Sequence, residues 1–162
     1  MQAVAAKAAA VASMLDESDR DALITSAWLH DIGYAGDLAK TGFHPLDGAR
    51  FLRSHGFDAR VTALVAHHSC ALIEADERGM YDALEAEFDH EQSVTADALW
   101  YCDMTTGPDG QDFEVADRLE EVQSRYGPDH LVTRFIDRAR SEIVAAVRRT
   151  EKRLATADVQ PM

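Results

Sequence analysis

WLHDIGYAGDL, Trp28 to Leu38, is the stretch on which the reading of this chain turns. An apolar run reaches a histidine, places an aspartate at the very next position, and breaks at Gly33. One polar residue on a helix face is ordinary. Two adjacent ones at the end of an apolar run require partners, because a buried carboxylate is costly unless it is paired or coordinates a metal. Upstream, Leu23, Ala27 and His30 recur three or four positions apart, so the histidine belongs to a semi-apolar face of a helix expected over about 19–31. Ser18 with Asp21 is the expected capping box at its start, with aspartate where glutamate is usual.

Helical patterning extends to nearly the whole chain. Residues 2–15 are alanine-rich and without a breaker. Gly33 to Gly42 reads as a loop, and Pro45 suits the first turn of a helix that stops at Gly56. Asp58 caps a helix expected over about 59–69, one or two short helices flank Gly79 within about 71–88, and another spans about 89–102. The glycines and proline of Thr105 to Asp112 mark a loop, and two closing helices, about 114–125 and 129–153, meet at Gly127-Pro128. Strand-like alternation and internal repeats are both lacking. The expectation is an all-α, single compact bundle of about six to eight helices, one domain over 1–156 with a flexible tail at 157–162.

With 162 residues, 46% hydrophobic and 28% charged, the chain has the balance of an ordinary globular domain. Its net charge of −13 repels nucleic-acid backbones and anionic membranes, which disfavours a role on either. The same charge repels anionic small molecules unless cations or arginines gather locally. No stretch approaches the length of a membrane span. The start MQAVAAKAAAVA carries Lys7 in mid-run and lacks leucine and phenylalanine, unlike a signal peptide. Cys70 and Cys102 form no CxxC pair, so a reduced, cytoplasmic setting is expected. Charge is unevenly spread: residues 74–97 hold nine acids against one arginine, and residues 134–153 hold seven bases against three acids. A solvated acidic face with a basic terminal helix is one reading; a basic surface for a subunit or an anionic ligand is the other.

Four places supply chemistry: His30-Asp31, His44, His67-His68 and Asp103, each in or beside an apolar helical stretch. Histidine and carboxylate are suitable ligands for a borderline divalent metal. Adjacent helical residues point about 100° apart, so they either serve two neighbouring metals or divide into a ligand and its orienting partner. Spacing alone leaves both a metal site and a set of satisfied core histidines open. Serine- or cysteine-nucleophile motifs, a Gly-rich phosphate loop, HExxH and an EF-hand loop are all missing, and Cys70 lies in an apolar run with no activating base.

The motif His30-Asp31-Ile32-Gly33, followed by a histidine pair and a later aspartate, resembles the HD superfamily of metal-dependent phosphohydrolases. These are all-helical proteins that hydrolyse phosphomonoesters, phosphodiesters or nucleotide phosphates. The resemblance covers roughly residues 2–106. Gly42-Phe43-His44-Pro45-Leu46-Asp47-Gly48-Ala49 is similar to the HPxxGA element of the multi-histidine branch, in which two metals are commonly held. By this resemblance His30, Asp31 and Asp103 are core metal ligands, Asp31 able to bridge two ions, and His44, His67 and His68 complete a second position. The implied cofactor is a divalent transition metal, two ions of iron, manganese, zinc, cobalt or nickel.

The chain departs from the family at one point. A further histidine is expected on the first helix, and none precedes His30. That ligand would fall at or just before Met1. The expectation is a true start a few residues upstream; the alternative is a site short of one ligand, with Gln2 a weak oxygen donor.

Two metals about 3.5–4 Å apart can share a hydroxide that attacks phosphorus in line. Asp31, His67 and Lys40 are the residues expected to act in catalysis, and Lys40, Arg50 and Thr106 those expected to meet substrate; Arg118 and Arg134 are more distant bases. The expected function is hydrolysis of a small phosphorylated molecule, a nucleotide foremost, by a phosphatase or phosphodiesterase. The alternative is a degenerate HD-fold protein that binds a nucleotide or a partner protein without turnover. Aromatic residues at helix ends would suit a homodimer.

Overall fold

The computed structural model describes residues 1–157, and all regular structure in that span is helical. The α-helices are α1 (Gln2–Val11), α2 (Glu17–Leu29), α3 (His44–Ser54), α4 (Ala59–Ala66), α5 (Ala71–Glu77), α6 (Tyr81–Glu87), α7 (Val94–Met104), α8 (Val115–Tyr126) and α9 (Leu131–Ala157). Three short 3₁₀ turns, Ala12–Met14, Ile32–Tyr34 and His68–Cys70, join or extend them. The all-α bundle is as the periodicity predicts. Apart from Ala157, which closes α9, the tail expected at 157–162 lies outside the described residues.

Local chemistry explains the boundaries. The start of α2 is set by Asp16, whose carboxylate accepts from the Asp19 amide at 3.1 Å. The Ser18–Asp21 capping box is therefore corrected: the Ser18 hydroxyl donates to Asp16 instead. Asp58 caps α4 as expected, accepting from the amides of Arg60 and Val61. The start of α7 moves from about 89 to Val94 because the Ser93 hydroxyl accepts from the Ala96 amide. Gly79, at φ +69°, separates α5 from α6.

Three apolar clusters hold the bundle. One joins α1, α2, α4 and α7 through Ala5, Ala8, Leu23, Ala27, Leu64 and Leu99. The alanines let these backbones approach closely, since interaxial distance follows the size of the contact residues. A second joins α7, α8 and α9 around Leu119, Ile136, Ile143 and Val147. The third packs α3 against α5 and α6 around Phe43, Leu46, Ala75 and Leu84. The acidic and basic segments meet: Arg134 and Arg138 of α9 pair with Glu77, and Arg149 and Arg153 pair with Asp97. Much of the basic face of α9 is thus neutralised within the chain. No helix of the described residues is long and apolar enough to cross a membrane.

The contact that positions the site is between two glycines. A Cβ on Gly33 would lie 2.0 Å from the His44 carbonyl oxygen and 2.8 Å from the Gly48 amide nitrogen, both backbone atoms. A Cβ on Gly48 would in turn lie 3.1 Å from the Gly33 nitrogen. The turn after α2 therefore rests directly on the first turns of α3. α2 itself ends at Leu29, ahead of the expected break, and Gly33 lies within the 3₁₀ turn Ile32–Tyr34, where only a residue without a side chain lets Asp31 and His44 come together. The intervening loop is pinned by Asp47, buried in α3, whose carboxylate accepts from the amides of Lys40, Thr41 and Gly42 at 2.9–3.2 Å.

Candidate metal centre

Four elements deliver polar side chains to one point. α2 and the turn that follows bring His30 and Asp31, the first residue of α3 brings His44, the turn after α4 brings His68, and α7 brings Asp103. His30 Nε2 lies 3.3 Å from Asp31 Oδ2 and 3.5 Å from Asp103 Oδ1. His44 Nε2 lies 3.5 Å from Asp31 Oδ1 and 3.2 Å from His68 Nε2. One ligand atom each from Asp31, His44 and His68 fall within 4.8 Å of one another.

The hydrogen bonds behind the cluster fix what faces inward. His30 Nδ1–H donates to the Ala27 carbonyl at 2.9 Å, and His68 Nδ1–H donates to the Val65 carbonyl at 2.7 Å. A carbonyl only accepts, so each neutral ring turns a lone pair on Nε2 toward the other groups. Metal-binding histidines are commonly oriented by such a bond through their second nitrogen. The Ser69 hydroxyl holds Asp103 from behind, donating to Oδ2 at 2.6 Å. Tyr34 stacks on the His44 ring with centroids 4.0 Å apart.

Lone pairs thus converge with too few protons to separate them, and His30 Nε2 is buried without a hydrogen bond among the described residues. Without a metal, the cluster must borrow a proton. Burial opposes a charge on His30, but Asp103 and Asp31 outweigh it and raise the imidazole to about 10. Burial likewise opposes ionisation of Asp103 and Asp31, yet His30 beside them holds both below the usual carboxylate range. Burial pushes His44 down to about 3, helped by His68, and pushes His68 down as well. Two carboxylates and neutral imidazoles facing one point form a donor set that suits a divalent cation, and the Asp31–His44–His68 group could hold one such ion.

The expectation that His67 serves this cluster is corrected. His67 Nε2–H donates to the Phe88 carbonyl at 2.8 Å, and its ring stacks on His90 at 4.6 Å, on the side away from His68. It borders a separate hollow of about 490 Å³ with Cys70, Trp100 and Glu142. His67 and His68 diverge, unlike the neighbours His30 and Asp31, which both reach the cluster. Ser69 and Cys70, which follow the histidine pair, both adopt positive φ, 49° and 62°. Left-handed backbone costs about 1–3 kcal/mol for a non-glycine residue and tends to collect at functional sites. His67→Leu should leave metal content unchanged while costing about 1–3 kcal/mol, because the Phe88 carbonyl loses its donor. Metal loss measured in that variant would return His67 to the ligand set.

Other expected residues stand elsewhere. Arg50 pairs with Glu87 at 3.1 Å, Lys40 is exposed, and the buried Thr106 donates its hydroxyl to the Cys102 carbonyl. None of the three lines the cleft above the cluster, because α3 turns Arg50 toward α6 and the loop holds Lys40 outward. Arg134 is tied to Glu77. Cys70 is buried, and burial together with Glu142 pushes its thiol up, consistent with packing.

The cleft measures about 430 Å³, within the range of small-molecule sites. Asp31, His44, His68 and Asp103 line it, and so do Arg118, Arg125, Tyr126 and His130, from α8 and the turn after it. Arg118, Arg125, Tyr126 and His130 follow the last motif residue, Asp103, and belong to no motif; of the four, only Arg118 is expected from the sequence, as a distant base.

The family model described as HD domain matches residues 1–139. No curated protein and no solved structure matches the chain.

Proposed function

This chain belongs to the HD domain family, and on that premise we propose that it hydrolyses a small phosphorylated molecule, with a nucleotide as the expected class. An HD-type fold with a clustered Asp–His–His triad is consistent with the active site of a metal-dependent phosphohydrolase. The observation that carries the reading is the convergence of two carboxylates and three imidazole nitrogens at one point, with Asp31, His44, His68 and Asp103 open to a cleft.

Asp31, His44 and His68 would hold one ion. His30 and Asp103 would serve a second, with Asp31 shared between the two. The mixed nitrogen and oxygen set accepts iron, manganese, zinc, cobalt or nickel. A divalent cation here supplies Lewis acidity, acidifying water and offsetting charge on phosphate oxygens. The residues do the rest: the carbonyl bonds at Nδ1 hold His30 and His68 in one tautomer, Ser69 fixes Asp103, and Tyr34 covers a face of His44.

Elemental analysis of untagged protein, purified without chelator, is the direct test. About two ions per chain, with hydrolysis of p-nitrophenyl phosphate that chelator abolishes, is the expected result. One ion would confine binding to the triad, and none would overturn the reading. Metal uptake without turnover on any phosphate ester would leave the non-catalytic binding protein.

A further inference from the structure

Only 16 of the 162 residues are basic in a chain of net charge −13, yet three arginines line the cleft that also exposes the candidate metal ligands. They are not equivalent. Arg78 is tied to Glu74, with contacts of 2.7 and 2.8 Å. Arg118 and Arg125 share one carboxylate, that of Glu121, so this cluster of three side chains carries one more positive charge than negative. Arg125 is largely at the surface, whereas the Arg118 side chain is only 11% exposed. Its Nη1 engages Glu121, while its Nε is buried with no partner among the described residues.

A buried guanidinium N–H without an acceptor is expensive to leave unmade. The adjacent N–H groups of a guanidinium form a planar fork that matches two oxygens of a phosphate. Glu121 occupies Nη1, so the Nε edge is the part of the fork still to be satisfied. The same cleft is lined by His44, His68, Asp31 and Asp103 of the metal centre. A group that engages both the centre and Arg118 needs oxygens for both. A terminal phosphoryl group has three non-bridging oxygens, enough for a metal centre and a guanidinium together. A phosphodiester has two, and its second ester arm would need further room.

We infer that Arg118 is the residue that grips the terminal phosphoryl group, and that this cleft selects phosphomonoesters over phosphodiesters. The inference rests on the proposed metal centre and narrows its substrate class. Tyr34 and Tyr126, 65% and 43% exposed on the rim of the same cleft, give the organic part of such an ester aromatic surface to lie on. Monoesters of a flat organic group fit both features.

The experiment measures binding of inorganic phosphate to metal-loaded protein by calorimetry, with metal content determined on the same samples. It compares the natural protein, Arg118→Gln and Glu121→Gln. Both variants break the Arg118–Glu121 pair, and Glu121→Gln breaks the Arg125–Glu121 pair as well, so a purely structural role for Arg118 predicts a loss in Glu121→Gln at least as large as in Arg118→Gln. The expected result is phosphate binding by the natural protein, weakened about ten- to a hundredfold in Arg118→Gln with metal unchanged. Glu121→Gln should stay within about twofold of the natural protein, since it removes only two partly exposed ion pairs and leaves the Arg118 guanidinium in place. In turnover, Arg118→Gln should lower kcat/KM for p-nitrophenyl phosphate more than for bis(p-nitrophenyl) phosphate. Equal phosphate binding by Arg118→Gln and the natural protein, or a loss in Glu121→Gln at least as large as in Arg118→Gln, would overturn the assignment of Arg118 and leave the metal centre standing. A natural protein that prefers the diester would overturn the substrate class. Protein that takes up no metal would overturn the centre and this inference with it, and the elemental analysis identifies that case.

Discussion

Asp31→Asn is expected to remove bound metal and, with it, phosphatase activity, while leaving the helical content intact. Asp31 is the residue whose two oxygens face both halves of the cluster, with Oδ2 at 3.3 Å from His30 and Oδ1 at 3.5 Å from His44. Asparagine keeps the shape but loses the charge and replaces one acceptor with a donor, which meets the lone pairs of the imidazoles instead of a cation. Loss of a group that merely orients a ligand costs about 10–100-fold in metal affinity, and loss of a direct ligand should exceed that. If the cation supplies several kcal/mol to the transition state, turnover falls by roughly three powers of ten. Metal analysis and p-nitrophenyl phosphate hydrolysis check the two effects, and circular dichroism checks the fold. A variant that retained full metal would move the centre away from Asp31.

Gly33→Ala should be among the most damaging single-methyl additions in the protein. The new Cβ would meet backbone, at 2.0 Å from the His44 oxygen and 2.8 Å from the Gly48 nitrogen, so no side-chain rotation relieves it. Either the turn lifts from α3 or α3 shifts. Overpacking of this kind costs about 3 kcal/mol or more, which for a domain of this size lowers Tm by roughly 6–12 °C. The same displacement moves Asp31 away from His44, so metal affinity should fall together with stability. Gly36→Ala is the matched control: it lies in the following loop, where a Cβ meets nothing within 4 Å. Thermal melts of the two variants should separate by most of that interval. Equal melts would mean that the glycine contact does not hold the turn.

Much of the centre was legible before folding because its signals are local. The helix ends at His30 and Asp103, the proline opening α3 and the glycine closing it each follow from the chemistry of a few neighbouring residues. The HDIG stretch also names ligand types, since histidine beside aspartate at the end of an apolar run calls for a cation or a counter-charge. Local signals misplaced some helix starts by one to five residues, where Asp16 and Ser93, and not the expected residues, supplied the capping oxygen.

The sequence alone determined the helical bundle, the residues available to a metal, and the glycine at which the first motif must break. Tertiary structure decided who meets whom. Of His67 and His68, equivalent as letters, only His68 enters the cluster, while His67 is taken up by the Phe88 carbonyl of a distant segment. Arg50 and Lys40, near the motifs in sequence, lie off the cleft, while Arg118 lines it from a helix that follows the last motif. The acids of 74–97 and the bases of α9, read separately as two charged surfaces, partly neutralise one another across α5, α7 and α9. Helix propensity, caps and breakers act within a turn or two of the chain, so sequence exposes them. Pairings between distant helices depend on how apolar faces pack, and only the folded bundle brings those partners together.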